Sequence, residues 1–517
     1  MSTNKSVTRA ASIIGIATLF SRILGFLRDM VIARLFGVYV YAQAFVIAFR
    51  IPNLFRDLVG EGATNAVLVP VFSEYTVKHT REEFWELANV VLNLLLVILT
   101  SLTLLGIIFS PLLVRLIAPG FAADPYKLAT TIKLTRVIFP YILLISLTAY
   151  SVGILNSLKH FAVPAFAPCL LNLSIIVFAI LFGQGIKGLV LGVLVGGVLQ
   201  LLVQIPMLYK KGFRPQLFHR FSHPVAKTIG KLMLPRLLST GIYQLNNFVD
   251  SIFGSLAFIV GEGGVAILYF AYRMIQFPLG IFSNALSQAI LPTFSTQALE
   301  DTAENLKDTL SFGLRATFFV MLPASIGFMV LGQPIIHALF GGGKFDAYSV
   351  TTTASVLLFY SIGLFAYAGT KILQSCFFAL KDTITPTKVS GLALGLNIVL
   401  NCILMFPLKI AGLALATSIS AIISFFVLFF LLNKKLKDFH LKPIAASFAK
   451  VLVASVGMGE VCFLLAQKMV LSGGIISKLL GLSIMLIAGI TAYILFCLIF
   501  RVKEMQELLQ WLLRKLK

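Results

Sequence analysis

Ala66-Val67-Leu68-Val69-Pro70-Val71-Phe72-Ser73 returns later in the chain as Gln288-Ala289-Ile290-Leu291-Pro292-Thr293-Phe294-Ser295, an offset of about 222 residues. Two further pairs keep that offset. Leu158-Lys159, followed by Pro164, returns as Leu380-Lys381, followed by Pro386, and Thr130-Thr131 returns as Thr352-Thr353. Asp29 against Asp250 and Arg50 against Arg273 fit to within a residue. Self-similarity at one long offset is the mark of a duplicated bundle.

What is duplicated is apolar. The 517 residues are 58% hydrophobic and 12% charged. A soluble chain cannot hide that much apolar surface, so the solvent around it is lipid. Runs of roughly 20 apolar residues, the length of a spanning helix, follow one another from Ala10 to Phe500. They predict an all-α polytopic membrane protein of about 14 transmembrane helices: two six-helix lobes related by the repeat, plus two C-terminal helices. On this reading the N-terminal lobe covers residues 1–210 and a linker covers 211–230. The C-terminal lobe covers 231–434, the two extra helices lie within 443–503, and a basic amphipathic tail covers 504–517. Leu508, Trp511 and Leu512 give the tail one apolar face, suited to an anionic membrane surface. Six spans per lobe keep both lobes in the same orientation, with the pseudo-two-fold axis along the membrane normal.

The formal net charge of +22 would suggest nucleic acid in a soluble protein. Here the basic residues crowd into alternate loops: Lys78 and Arg81; Lys210, Lys211, Arg214 and Arg220; Lys434, Lys435, Lys437 and Lys442. The loops between, at Phe36–Tyr41, Ala118–Asp124, Gly183–Gly188 and Gly261–Gly264, are nearly bare of them. That alternation places both termini in the cytoplasm of a multi-pass cytoplasmic (inner) membrane protein and argues against a nucleic-acid partner. The cationic start lacks a small-residue cleavage site, and its apolar run carries arginines, so it reads as a retained helix. Cys169, Cys376, Cys402, Cys462 and Cys497 lie in apolar runs without a CxxC pair and read as small buried hydrophobes.

A charge inside an apolar span is costly unless it lines water or meets a partner. In the first span Ser21, Arg22, Gly25, Arg28 and Asp29 fall within an arc of roughly 120°. In the second, Gln43, Arg50, Asn53 and Asp57 share a stripe with Arg56 at its edge; Pro52 is expected to break that helix, and Glu61-Gly62 follow as a polar elbow. The second lobe supplies Ser239, Tyr243, Asn246, Asn247 and Asp250 on one span, and Arg273, Gln276, Ser283, Asn284 and Ser287 on the next. Four such walls predict a polar, cationic cavity. Guanidinium groups fork onto phosphate oxygens, so a phosphate or pyrophosphate suits it better than a single carboxylate. Arg34 and Arg115, near span ends, read instead as anchors reaching to headgroups. No P-loop is present, and the six histidines lack metal-ligand spacing. A transporter without a cofactor, driven by a gradient, the membrane potential or consumption of its product, fits better than an enzyme.

Phe20-Ser21-Arg22-Ile23-Leu24-Gly25-Phe26-Leu27-Arg28-Asp29 closely resembles the first helix of the MurJ (MviN) lipid II flippases. Arg50-Ile51-Pro52-Asn53-Leu54-Phe55-Arg56, Glu61-Gly62-Ala63, Pro140-Tyr141-Ile142-Leu143, Pro164-Ala165-Phe166-Ala167-Pro168 and Lys381-Asp382-Thr383-Ile384-Thr385-Pro386 match as well. The resemblance runs over nearly the whole chain. It implies the fold of the multidrug/oligosaccharidyl-lipid/polysaccharide exporters, with the two extra helices forming a lipid-tail groove. It further implies export of lipid II, the undecaprenyl-pyrophosphate-disaccharide-pentapeptide precursor of peptidoglycan, by alternating access; the repeat, which already supplies two lobes, suits a monomer. Arg22, Arg28, Arg56 and Arg273 match the family's flipping arginines, with Ser21, Gly25, Asp29 and Asn53 beside them. A family sodium site maps to Asp250, Asn397, Asn401 and Thr417, with Asn401 in place of an acid. Gln43, Tyr272 and Gln276 likewise stand where some relatives carry acids. The competing readings are a flippase for another polyprenyl-pyrophosphate-linked glycan and a cation or drug antiporter; the latter would carry buried acids where this chain has arginines.

Overall fold

A computed structural model describes residues 3–57, 67–183, 185–300, 303–437, 439–468 and 473–516. Glu61 and Gly62 lie outside the described residues, as do the side chains of Ser239, Tyr243, Asn246, Asn247, Trp511 and Leu512. The described residues are almost entirely helical, as backbone in lipid must be, since only a helix or a closed barrel satisfies its own polar groups there. Among the described residues, nine helical segments are long and apolar enough to cross a bilayer, and up to ten if a bent pair counts as one span.

By packing, the chain divides into two units, Met1–Leu256 with Gly343–Phe345, and Ala257–Gly342 with Asp346–Lys517. The first unit holds α1 (Thr3–Phe36), α2 (Val40–Phe55), α3 (Val69–Lys78), α4 (Arg81–Ile117), α5 (Pro125–Ile138), α6 (Tyr141–Ser157), α7 (Ala162–Leu181), α8 (Ile186–Leu202), α9 (Ile205–Lys210) and α10 (Pro224–Gly254). α7 packs along both α1 and α8. The approach to α8 is close because a Cβ at Gly192 would stand 2.7 Å from the Ile175 Cα; Gly188, Gly192 and Gly196 repeat every fourth residue, the small-residue seam of membrane helix pairs. Gly37, at φ 63°, turns α1 into α2, and the Lys344 amide donates to the Arg34 carbonyl oxygen beside it at 2.9 Å.

At the basic end of this unit, α4 opens on a capping box: Thr80 accepts from the Glu83 amide, and Glu83 accepts from the Thr80 amide. Phe72, Phe84, Leu87, Tyr150, Ile154 and Ile229 pack together beneath it. Residues 211–223 are clamped to α4. Asn89 Nδ2 donates to the Arg214 carbonyl (3.1 Å) and its Oδ1 accepts from the Gln216 amide (2.7 Å). Asn93 does the same with the Gln216 carbonyl (2.9 Å) and the Phe218 amide (3.1 Å). The repeat sets a lobe boundary at 231, whereas packing places all of α10 with the first unit. The reason is physical: the clamp delivers the chain to α4, and α10 then packs on α4 and α2.

The second unit holds α11 (Ala257–Val260), α12 (Gly264–Pro278), α13 (Asn284–Gln297), α14 (Glu304–Leu339), α15 (Ala347–Ile362), α16 (Leu364–Ala379), α17 (Ile384–Leu436), α18 (Leu441–Lys468), α19 (Ile475–Ile499) and α20 (Lys503–Leu516). α17 is two arms of a hairpin that reverses at Lys409 (φ 51°, ψ −132°), just after Pro407. Phe318, Phe365, Phe425 and Phe448 interlock edge to face; Phe318 and Phe448 have centroids 5.1 Å apart. Those rings join α14, α16, α17 and α18.

The duplication survives in the helix ends. α7 begins at Ala162 and α17 at Ile384; α6 ends at Ser157 and α16 at Ala379; each pair is 222 residues apart. Asp124 caps α5 by accepting from the Lys127 amide, and Asp346 caps α15 by accepting from the Ser349 amide. Lys159 and Lys381 stand at φ 59° and 58° after α6 and α16, each followed by the same backward bond: His160 N to Leu155 O, Asp382 N to Phe377 O.

Candidate functional site

Two cationic stripes lie in the first unit. On α1, Arg28 is buried (5% exposed) beside a fully buried Asp29. Its Nη2 and Nε donate to Asp29 Oδ1 at 2.7 and 3.0 Å, and its Nη1 donates to Asn172 Oδ1 on α7 at 3.1 Å. Asn172 Nδ2 returns a bond to the Ser21 carbonyl at 3.1 Å, so α7 holds the polar face of α1 at two heights. Gly25 is buried between them, while Arg22 is exposed. Desolvating such a pair is costly, and the geometry that compensates is a fork plus a third bond.

The second stripe continues one turn past Pro52 before α2 ends at Phe55; the proline does not stop it at once, contrary to expectation. Arg50 Nη1 donates to Ser251 Oγ on α10 and interacts electrostatically with Asp250. Asn53 Oδ1 and Asp250 Oδ1 are buried without a hydrogen bond. Arg56 pairs with Asp57 at 3.1 Å in an exposed position, and Gln244 on α10 donates to the other Asp57 oxygen at 3.1 Å. Asp250 and Ser251 bring α10 into this wall of the first unit, whereas the repeat assigns Asp250 to a wall of the second lobe.

In the second unit Arg273 lies half-buried over the Tyr269 ring, 5.9 Å from its centroid. Tyr272 meets Tyr360 edge-on, Lys371 donates to Asn284, and the fully buried Ser283 donates to the Ala368 carbonyl. Farther along, Asn401 Nδ2 donates to Asn397 Oδ1 (3.0 Å) and Asn397 Nδ2 to Thr417 Oγ1 (3.1 Å). Thr417 then donates to the Leu413 carbonyl (3.0 Å). Three of the four residues mapped to a sodium site thus form one buried relay. Its fit to a cation is partial: Asn401 Oδ1 is buried and unbonded, whereas the Asn397 and Thr417 oxygens already accept hydrogen bonds. Among the described residues no cluster of three or more His, Cys, Asp or Glu could hold a metal ion.

The partners that the sequence reading missed are Asn172, Gln244 and Ser251. Asn172 carried a signal, an amide in the middle of an apolar run, which a membrane helix retains only for a bond.

Arginine-bearing polar stripes on helices otherwise sheathed in exposed leucine, isoleucine and phenylalanine define a multi-pass membrane protein with the charged interior of a transporter. A multidrug-resistance transporter of the MATE family and MOP superfamily, in an inward-facing conformation, shares the fold at 18% identity (TM-score 0.68, covering 80% of this chain and 94% of that one). Residues 32–484 match the family model described as lipid II flippase MurJ, and the chain belongs to that family. It is 36% identical over 419 residues to a probable lipid II flippase MurJ from Buchnera aphidicola subsp. Acyrthosiphon pisum, covering 80% of this chain and 81% of the relative. Against a lipid II flippase MurJ from Burkholderia cenocepacia it is 34% identical over 426 residues, 81% and 82% of the two chains. The solved structure of a lipid II flippase MurJ in an inward closed conformation superposes with TM-score 0.79 at 28% identity, over 94% of this chain and 98% of that one.

Proposed function

We propose that this protein flips lipid II from the cytoplasmic to the outer leaflet of the cytoplasmic membrane by alternating access, for peptidoglycan synthesis. The observation that carries the reading is the MurJ family match, which takes in Arg56 and Arg273 and nearly all of both units. We assign Arg22, Arg28, Arg56 and Arg273 to the pyrophosphate, with Ser21, Gly25, Asp29 and Asn53 shaping the surface around them. At Arg28 the diphosphate competes with the Asp29 carboxylate for the same fork, so binding is reversible instead of a trap. The undecaprenyl tail stays in the bilayer, against α18 and α19.

Fourteen spans follow if α1, α2 with α3, α10 and the two arms of α17 are counted with the other apolar helices. That even number, with the lysine-rich loops inside, supports cytoplasmic termini. Each chain would work alone, since the repeat supplies both lobes. The membrane potential or a sodium gradient supplies the drive; a sodium ion, when bound, would be held at Asn401, whose Oδ1 is the unbonded oxygen of the relay.

The test is rescue. The endogenous lipid II flippase of a bacterium is depleted, this chain is expressed, and externally accessible lipid II is measured. Accessibility is expected to return with the native chain and to vanish with Arg273→Ala. A well-inserted protein that leaves lipid II inside overturns the proposal in favour of another polyprenyl-linked glycan.

A further inference from the structure

The last helix is tied to the membrane domain in an unusual way. α19 ends in exposed Leu498, Ile499 and Phe500, the lipid-facing edge of its span. The chain then reverses at Arg501 (φ 49°), with Val502 N bonded back to the Cys497 carbonyl at 2.8 Å, and α20 begins at once. A three-residue joint, Phe500–Val502, holds the start of α20 against the end of α19.

Its first turn is buried: Val502 is 0%, Met505 4% and Glu504 8% exposed. Glu504 is the anchor. Its Oε1 pairs with Arg315 on α14 at 3.1 Å and accepts from Ser447 on α18 at 3.0 Å. An acid in that position neutralises the mostly buried Arg315 beside it and removes itself from the helix's outer charge. The turns beyond are different. Leu508 and Leu513 are exposed although the helix is strongly two-sided in sequence. In sequence the segment is basic: Arg501, Lys503, Arg514, Lys515 and Lys517 stand against one further acid, Glu507, which lies 4.0 Å from Lys503. α18 and α19 form a there-and-back pair, so α20 emerges on the side that holds Lys434, Lys435, Lys437 and Lys442.

We propose that α20 is a membrane-surface helix, held at its first turn by Arg315 and Ser447 and resting its leucine face on anionic lipid headgroups. A leucine face rimmed by lysine and arginine is the pattern of helices that lie in the headgroup plane of an anionic leaflet. The Glu504 anchor fixes the cytoplasmic ends of α14 and α18 at a set depth through that contact. The proposal rests on the chain spanning the membrane, and not on which lipid it moves.

The experiment uses the full chain carrying Trp85→Phe, Trp511→Phe and Leu513→Trp, which replaces its two tryptophans and leaves one reporter on the exposed turn. It is reconstituted in vesicles of phosphatidylcholine with brominated acyl chains, with and without phosphatidylglycerol. Quenching by bromine is expected with phosphatidylglycerol, and its loss in phosphatidylcholine alone, in high salt, and on adding Leu508→Glu. A reporter quenched by aqueous iodide and indifferent to bromine in phosphatidylglycerol vesicles overturns the proposal. So does equal bromine quenching in both compositions, which removes the charge dependence. So does a reporter shielded from both quenchers, which means that protein covers the face. None of these readings measures transport, so each leaves the lipid II proposal where it stands.

Discussion

Arg28 and Arg56 are two arginines of the same proposed role in opposite surroundings. Arg28 is buried against Asp29 and Asn172; Arg56 is exposed against Asp57. Removing one partner of a buried pair strands the other, at a cost of about 3–5 kcal/mol, whereas exposed pairs contribute about 0–1 kcal/mol. Arg28→Met should therefore unfold in detergent well below the native protein, and Arg28→Met with Asp29→Leu should recover most of the loss. Equal thermal midpoints for the single and double variants would remove the buried pair from the account of stability. Arg56→Ala should keep the native midpoint yet lose lipid II accessibility in the rescue assay, which makes it the cleaner probe of substrate contact. Retained transport in Arg56→Ala would take that residue out of the site. The adjacency of Arg28 and Asp29 on one polar face was legible in the sequence, because neighbouring charges in an apolar helix have few other uses. The Asn172 bond was not, since nothing local sets which of several intramembrane amides will face α1.

Helix ends carry the duplication more faithfully than helix faces do. Asp124 and Asp346, and Lys159 and Lys381, hold the same caps in each half because cap geometry tolerates few substitutes. Those boundaries were foreseeable from the sequence offset. The membership of α10 in the first unit was not, for it depends on Asn89 and Asn93 gripping backbone more than 120 residues away. The α8 glycines did carry a readable signal, a fourth-residue spacing that the reading for charge passed over. The α16–α17 turn gives a pH test. Lys435 at 2.7 Å, then the Thr385 amide, push the Asp382 carboxyl down to about 2. An unfolded aspartate titrates near pH 3.9, so this contribution is present above about pH 4 and lost as pH falls through about 2. Lys435→Met should lower the unfolding midpoint at neutral pH, and the gap from the native protein should close across that acid window. A gap that stays constant down to the lower limit would exclude the pair as its source.

Across the whole molecule, the charge distribution and the apolar runs were sufficient to read an all-helical membrane transporter and its repeat. The sequence could not reveal where a bent pair and a hairpin would hide span boundaries, because a helix that breaks at Lys409 without a polar loop leaves no gap in hydropathy. Orientation is testable at this scale. A fluorescent reporter fused after Lys517 should fold and glow, whereas alkaline phosphatase at that point should be inactive and inserted at Gly263 should be active. The reverse pattern would invert the protein and assign the lysine-rich loops to the outside.

The hairpin at Lys409 has a consequence for anything that approaches from the face opposite the lysine clusters. There α1 passes to α2 over Gly37–Tyr39, α11 to α12 over Gly261–Gly263, and the arms of α17 meet on a single residue. Turns this short give an antibody little epitope and a protease no extended stretch to cleave. A binder aimed at any of these three turns finds almost no extended backbone to hold.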